Sequence, residues 1–126
     1  MLSACKLETV VFFVSNLARS VAFYRDTLGL GVEAVTEGHE GPFATAQAGA
    51  VTLVFIERPV RSGESPVVVF SLDGGIDDCA EALAGKGVEI VVPVSEAPDG
   101  GLTLDFLDPD GTVLSLHQPA QAPRRR

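Results

Sequence analysis

The sequence predicts an α+β fold built from two βαβββ modules. The order of one strand, one helix and three strands occurs twice along the chain. Gly-Val-Glu follows each predicted helix, at 31–33 and again at 87–89, and Gly49 and Gly111 precede the two closing strands. A four-stranded sheet with one helix leaves its second face uncovered, so we expect the two modules to form a shared cup.

The first module is predicted at about residues 6–57. Residues 8–15 are β-branched and aromatic, which is typical of a buried strand. Asn16 follows as a candidate helix cap. One face of the next segment is apolar at helical spacing, and Gly29 is expected to end the helix. The residues on that face are Leu17, Val21, Tyr24 and Leu28. Three short strands are then predicted at 31–37, 42–48 and 50–57.

The second module is predicted at about residues 67–118, after a polar linker at about 58–66 that contains Pro and Gly. Acidic residues at the start of its helix suit the positive helix N-terminus. Residues 119–126 are predicted to be a loose tail. The predicted elements of this module are a strand at 65–73, a helix at 76–86, and strands at 87–94, 101–108 and 112–118.

Composition favours an acidic single-domain protein without nucleic-acid or membrane partners. The formal net charge is -8, although the last three residues are all arginine. Such a charge repels phosphate backbones and attracts cationic ligands. The longest apolar run, at 10–14, is far too short to cross a bilayer. Two cysteines outside any zinc-binding spacing, and no recognisable leader segment, favour a cytoplasmic protein.

Two local motifs carry a family resemblance. Residues 14–31 contain Ser20, Phe23, Tyr24 and Leu28-Gly29, and Asp-Pro-Asp-Gly at 108–111 leads into a closing strand. Proline, the aspartates and glycine at these positions suit a tight turn. With the repeat, these motifs resemble the glyoxalase/bleomycin-resistance/dioxygenase family, also called the vicinal oxygen chelate superfamily. The resemblance covers about residues 6–118 and implies the same cup-shaped fold.

The positions that match the family's metal ligands carry other residue types. Enzymes of this family hold a divalent metal through four side chains, one from each of four inward-facing strands. The matching positions here are Thr9, Leu53, Val67 and Ser115. None is His, Asp or Glu, the side chains that suit such ions. We therefore expect no metal and no cofactor.

Period-two alternation predicts which side chains line the cup. This surface is mostly apolar with a few polar groups, which is typical of a small-molecule site. His117 is a candidate general base or hydrogen-bonding group. Glu57 is a candidate acid/base, or else forms an exposed salt bridge with Arg58 or Arg61. The predicted ligand-binding residues are Thr9, Val11, Phe13, Leu53, Phe55, Val67, Ser115 and His117.

Three functions are compatible with this sequence. The resemblance implies first a metal-independent protein that binds a small apolar or cationic molecule, as the antibiotic-sequestering branch of the family does. The second is a metal-independent lyase or isomerase that uses His117 or Glu57 as acid/base. The third is a degenerate family member acting as a subunit. The family commonly shares its ligand crevice between two chains, so we expect a homodimer.

Overall fold

The chain forms strands and helices in the order that the sequence predicts. The computed structural model describes residues 3–4, 9–35, 42–61 and 67–126. The chain divides into two compact units, Met1–Val60 and Arg61–Arg126. Each unit contains one four-stranded sheet and one helix in βαβββ order, which confirms the predicted fold class. Within the predicted linker, residues 62–66 lie outside the described part of the chain.

The helix of the first unit begins where the sequence places its cap. The Oδ1 atom of Asn16 accepts a hydrogen bond from the backbone N–H of Arg19 at 3.0 Å, which satisfies one of the free donors of the first turn. The chain then continues from the α-helix into a single π-helical turn. The elements are β1 (Thr9–Val14), α1 (Leu17–Ala22), the π-helical turn (Phe23–Thr27), β2 (Val32–Val35), β3 (Phe43–Ala48) and β4 (Val51–Glu57).

The second unit repeats this order with a longer helix. The antiparallel pairing of its second and third strands is irregular, with two register shifts. Its sheet has the strand order β5-β8-β7-β6, and the first sheet has the matching order β1-β4-β3-β2. In both sheets the first strand pairs in parallel with the last. The elements are β5 (Val68–Ser71), α2 (Ile76–Gly85), β6 (Ile90–Glu96), β7 (Leu102–Leu107) and β8 (Val113–Gln118).

Each unit has its core between its helix and one face of its sheet. In the first unit, Tyr24 is fully buried, and its ring lies 4.5 Å from that of Phe55 and 6.0 Å from that of Phe12. In the second unit, Ile76 and Leu83 of α2 are buried, and α2 packs against β6, β7 and β8. We call the covered side of each sheet its helix-packed face and the other side its open face.

The Asp-Pro-Asp-Gly motif forms the turn predicted for it. The Oδ1 atom of Asp108 accepts hydrogen bonds from the backbone N–H groups of Asp110 and Thr112, both at 2.9 Å. Gly111 has a φ of 78°, a conformation that side chains disfavour. The turn therefore starts β8 at a fixed position.

The prediction of a loose C-terminal tail is wrong. The backbone carbonyl of Pro123 accepts a hydrogen bond from the N–H of Gly75 at 2.7 Å, and that of Arg124 accepts one from Asp77 at 3.0 Å. The guanidinium of Arg124 also donates two hydrogen bonds to the Asp77 carboxylate, at 2.8 and 2.9 Å. The N-cap residue of α2 is Gly75, which has no side chain to accept a hydrogen bond. The tail thus supplies acceptors for the free N–H groups at the start of this helix.

Candidate functional site

The open face of the first sheet is apolar. Phe13 is 51% exposed and Val11 is 49% exposed, and both lie on β1 with their side chains away from the helix. Val11 is paired with Val54 of β4, and Phe43 of β3 is paired with Ile56. Residues directly opposite in paired strands share a face, so these five side chains form one apolar surface.

The polar groups of this surface lie at its β3–β4 end and across its centre, where Glu33 of β2 pairs with Thr45 and Thr45 pairs with Val54. Thr9 pairs with Thr52, whose hydroxyl lies 2.6 Å from the Oε1 atom of Gln47 and donates to it. The predicted positions of Thr9, Val11 and Phe13 on the open face therefore agree with the strand pairing. Whether these residues bind a ligand stays a prediction.

The prediction that Leu53 and Phe55 of β4 line the cup is wrong. Leu53 and Phe55 pair with Val10 and Phe12, on the helix-packed face, and Phe55 has no solvent exposure. Every residue of β4 from 51 to 56 is apolar or threonine, so alternation along this strand does not distinguish its faces. The β4 side chains on the open face are Thr52, Val54 and Ile56.

Glu57 has a structural use at the end of β4. Its Oε2 atom accepts a hydrogen bond from the backbone N–H of Leu17 at 2.9 Å, at the first position of α1. In the second unit, the Oε1 atom of Gln118 accepts from the N–H of Ile76, the first residue of α2, at 3.0 Å. Each unit thus ties the start of its helix to the last residue of its closing strand.

The open face of the second sheet carries both apolar and polar side chains. Ser115 and His117 lie on it as predicted, and Val69 lies there too, because Val69 pairs with Ser115 and Ser71 pairs with His117. Val69 is 58% exposed, whereas Ser115 is buried. Val67, directly before β5, is exposed. On the other side of β8, the antiparallel strand β7 adds two polar side chains that the sequence analysis did not single out. They are Asp105, opposite Ser115, and Thr103, opposite His117.

The carboxylate of Asp99, which the sequence did not single out, contacts the ring of His117. The Oδ2 atom of Asp99 lies 3.0 Å from Nε2 of His117, and its Oδ1 atom accepts the backbone N–H of Gly101 at 2.9 Å. These contacts, the Gly101 hydrogen bond foremost and then that from His117, hold the pKa of Asp99 below its usual range. The His117 side chain is 29% exposed and so remains accessible. Eighteen residues separate the two groups in sequence, and no short motif joins them.

Gly101 lets the turn at 98–100 come close to β8. A Cβ atom at Gly101 would stand 2.8 Å from Nε2 of His117 and closer still to the backbone carbonyl oxygen of Gln118. Only glycine fits this approach without displacing backbone atoms. The close approach brings Asp99 within reach of the His117 ring.

The residues that match the family's metal ligands do not fit a metal ion. Thr9 and Val67 are exposed, Ser115 is a neutral hydroxyl, and Leu53 lies in the core of the first unit. Val54, which occupies the open face of β4 beside Leu53, is also apolar. Among the described residues, no group of three or more His, Cys, Asp or Glu side chains is placed to bind a metal. No helix in the described part of the chain is long and apolar enough to cross a membrane.

Comparisons with known proteins agree with the fold. The family model described as Glyoxalase/Bleomycin resistance protein/Dioxygenase superfamily matches residues 6–116. No curated protein is similar enough in sequence to be matched to this chain.

Several solved structures share this fold. One is an antibiotic binding protein from Streptomyces sp. CB03234, with 24% identity over 94% of this chain and 99% of that one, and a TM-score of 0.78. An integron cassette protein from the mobile metagenome of Halifax Harbour Sewage Outfall has 24% identity over 91% and 99% of the two chains, with a TM-score of 0.76. A lactoylglutathione lyase from Agrobacterium tumefaciens has 17% identity over 94% and 96%, with a TM-score of 0.72.

Proposed function

Since this chain belongs to the Glyoxalase/Bleomycin resistance protein/Dioxygenase superfamily, we propose that it binds a small, largely apolar molecule without using a metal ion. The observation that carries the proposal is the apolar open face of the first sheet. Phe13 and Val11 are about half exposed there, although Phe12 and Val14 on the other face of the same strand are buried. Exposed apolar side chains grouped on one surface mark an interaction site more often than scattered ones do.

The chemistry of this face suits a ligand with a flat or branched apolar body. Burial of such a body contributes about 25 cal/mol per Å² of apolar surface removed from water. The hydroxyls of Thr9 and Thr52 can orient the ligand through hydrogen bonds. A net charge of -8 attracts a cationic ligand over long range, and salt weakens that attraction. A similar structure carries the description of an antibiotic binding protein, which supports a binding function of this kind.

A thermal-shift screen of metals and small amphipathic compounds tests the proposal. A ligand that binds only the native state raises the melting temperature. Any compound found should lose its effect in Val11→Asp, because the substitution places a charge in the apolar surface. Val91→Asp is the matched control, since Val91 on β6 is 48% exposed and Val11 is 49% exposed. Equal loss in both variants would contradict the proposed site.

The metal-free part of the proposal has its own test. We expect elemental analysis of purified, tag-free protein to find no stoichiometric divalent metal, since the matching positions carry Thr9, Leu53, Val67 and Ser115. About one nickel, zinc, iron or manganese ion per chain would overturn it.

A second candidate function is a metal-independent lyase or isomerase that uses His117 as acid/base. The contact between Asp99 and His117 favours it, because a carboxylate on one ring nitrogen orients the ring of a general base. Glu57 is the weaker candidate, since its carboxylate already accepts from Leu17. If a compound from the screen is turned over, and His117→Ala stops turnover while leaving binding intact, this candidate replaces the first.

We also propose that the protein is a cytoplasmic homodimer. Val67 and Val69 at edge strand β5 are 55% and 58% exposed, and a two-fold interface between copies would cover such residues. Sedimentation at micromolar concentration should show a dimer. Observation of monomer alone would count against this assembly.

A further inference from the structure

The Asp99–His117 pair has a geometry that determines which ring nitrogen carries hydrogen. Asp99 uses Oδ1 to accept from Gly101 and places Oδ2 against Nε2 of His117. Its lowered pKa keeps Asp99 ionised near neutral pH, and an ionised carboxylate can only accept. Nε2 of the neutral imidazole must therefore be the N–H that donates to Asp99.

In the neutral form of the ring, the other nitrogen is consequently a hydrogen-bond acceptor. A neutral imidazole carries one hydrogen, so Nδ1 of His117 holds a lone pair. Among the described residues, the Asp99 contact is the only hydrogen bond of this ring. The side chain remains 29% exposed on the open face of the second sheet. In the neutral ring, Nδ1 is thus an oriented acceptor that receives no hydrogen bond from the described residues.

The surrounding charges restrict the ligand that this acceptor can take. Asp99 contacts the ring, and Asp105 lies on the same face through its pairing with Ser115. Two carboxylates disfavour an anionic ligand. Ser71 and Thr103, which are paired with His117 in the neighbouring strands, offer hydroxyls beside it. A neutral molecule that carries a hydroxyl group suits these surroundings.

We propose that the Asp99–His117 pair is an acceptor site for the hydroxyl of a phenol or similar weakly acidic alcohol, with Nδ1 of His117 as the accepting atom. The inference goes beyond the proposed apolar site, because it assigns a second site on the other sheet and names the chemical class of its ligand. Asp99 is a positioning residue, because it acts on the ligand through the histidine ring.

The tautomer can be measured without any ligand. Long-range ¹H–¹⁵N spectra at the high-pH limit of the titration should show hydrogen on Nε2 of His117, with His39→Gln assigning the signals of the only two histidines. Asp99→Asn keeps an oxygen to accept from Gly101, so its amide NH₂ faces His117 and donates to Nε2. The ring hydrogen should then move to Nδ1. Wild-type protein with its hydrogen on Nδ1 would overturn the proposal.

Phenol and its methyl ether anisole form the matched pair of probes. In wild-type protein phenol should bind about tenfold more tightly than anisole, the effect of one net hydrogen bond, and should shift the His117 ring signals. Asp99→Asn should abolish this preference, because Nδ1 then donates instead of accepting. Equal affinities of the two probes in wild-type protein would also overturn the proposal.

The two proposals fail in different ways. If phenol shifts the methyl signals of Val11 and Val54 and leaves those of His117 unchanged, this inference fails while the proposed apolar site stands. If phenol shifts only the His117 signals, the acceptor site stands and the apolar site is contradicted. If neither set responds, both are overturned.

Discussion

The two units build their helix-packed faces alike and their open faces differently. In both, buried aromatic or aliphatic side chains lie under the helix, and the last residue of the closing strand binds the first N–H of that helix. The open face of the first sheet carries Val11, Phe13 and Val54, whereas that of the second combines Val69 with the polar side chains of Ser115 and His117. The buried core therefore constrains one face of each sheet, whereas the residues of the other face differ between the units.

The largest effect on stability is expected from replacing a buried aromatic residue of the helix-packed face with alanine, compared with the same replacement on the open face. Phe55→Ala should lower the free energy of unfolding by about 3–5 kcal/mol, because it leaves a cavity beside Tyr24. Phe13→Ala, at an exposed position, should cost less than about 1 kcal/mol. Urea unfolding measures both. Similar losses would contradict the assignment of the two faces.

Both units use the last side chain of the closing strand to accept a hydrogen bond from the first N–H of the helix, and substitutions of these two side chains test this shared feature. Gln118→Ala should cost about 1–3 kcal/mol, because it leaves the N–H of Ile76 buried without an acceptor and removes a donor to the tail. Glu57→Ala should cost about 0.5–2 kcal/mol, since its contact with Leu17 is exposed and water can replace it. If urea unfolding ranks the two variants in the opposite order, burial is not what distinguishes the two contacts.

A polar residue in the first helix provides a smaller test. The Oγ atom of Ser20 is buried and has no hydrogen-bond partner among the residues that the structure describes. Cys79 occupies the same position, fourth in the helix, in the second unit. Ser20→Ala should leave stability unchanged or raise it by about 1 kcal/mol, because no unsatisfied hydroxyl remains. A loss above about 1 kcal/mol, measured by thermal unfolding, would show that Ser20 makes a hydrogen bond in solution.

The smallest effect concerns the tail, which belongs to the second unit. The hydrogen bond from Arg124 holds the pKa of Asp77 below its usual range. A lowered folded pKa adds stability above the unfolded value, and this stability is lost as the pH falls through the folded value. Arg124→Gln should therefore lower the melting temperature more at pH 6 than at pH 2. An equal effect at both values would exclude the charge pair as its cause.

The sequence predicted the order of elements well. Asn16 caps its helix, and Asp-Pro-Asp-Gly forms its turn, because these features depend on neighbouring residues. The sequence failed for the tail at 119–126, whose three arginines look like a solvated end. Their partners, such as Asp77, lie more than 40 residues away in the chain, so no local pattern reveals them.

Sequence alone determined which residues form strands, and tertiary structure decided which way the strands face. The predicted inward residues Leu53 and Ser115 are 62 positions apart, the same separation as Gly49 and Gly111. The helix-start contacts instead relate Glu57 to Gln118, at a separation of 61. A shift of one residue moves every side chain of a strand to the opposite face, because side chains alternate with period two. Packing against the π-helical turn that follows α1 removes the ambiguity by burying Phe55 under Tyr24.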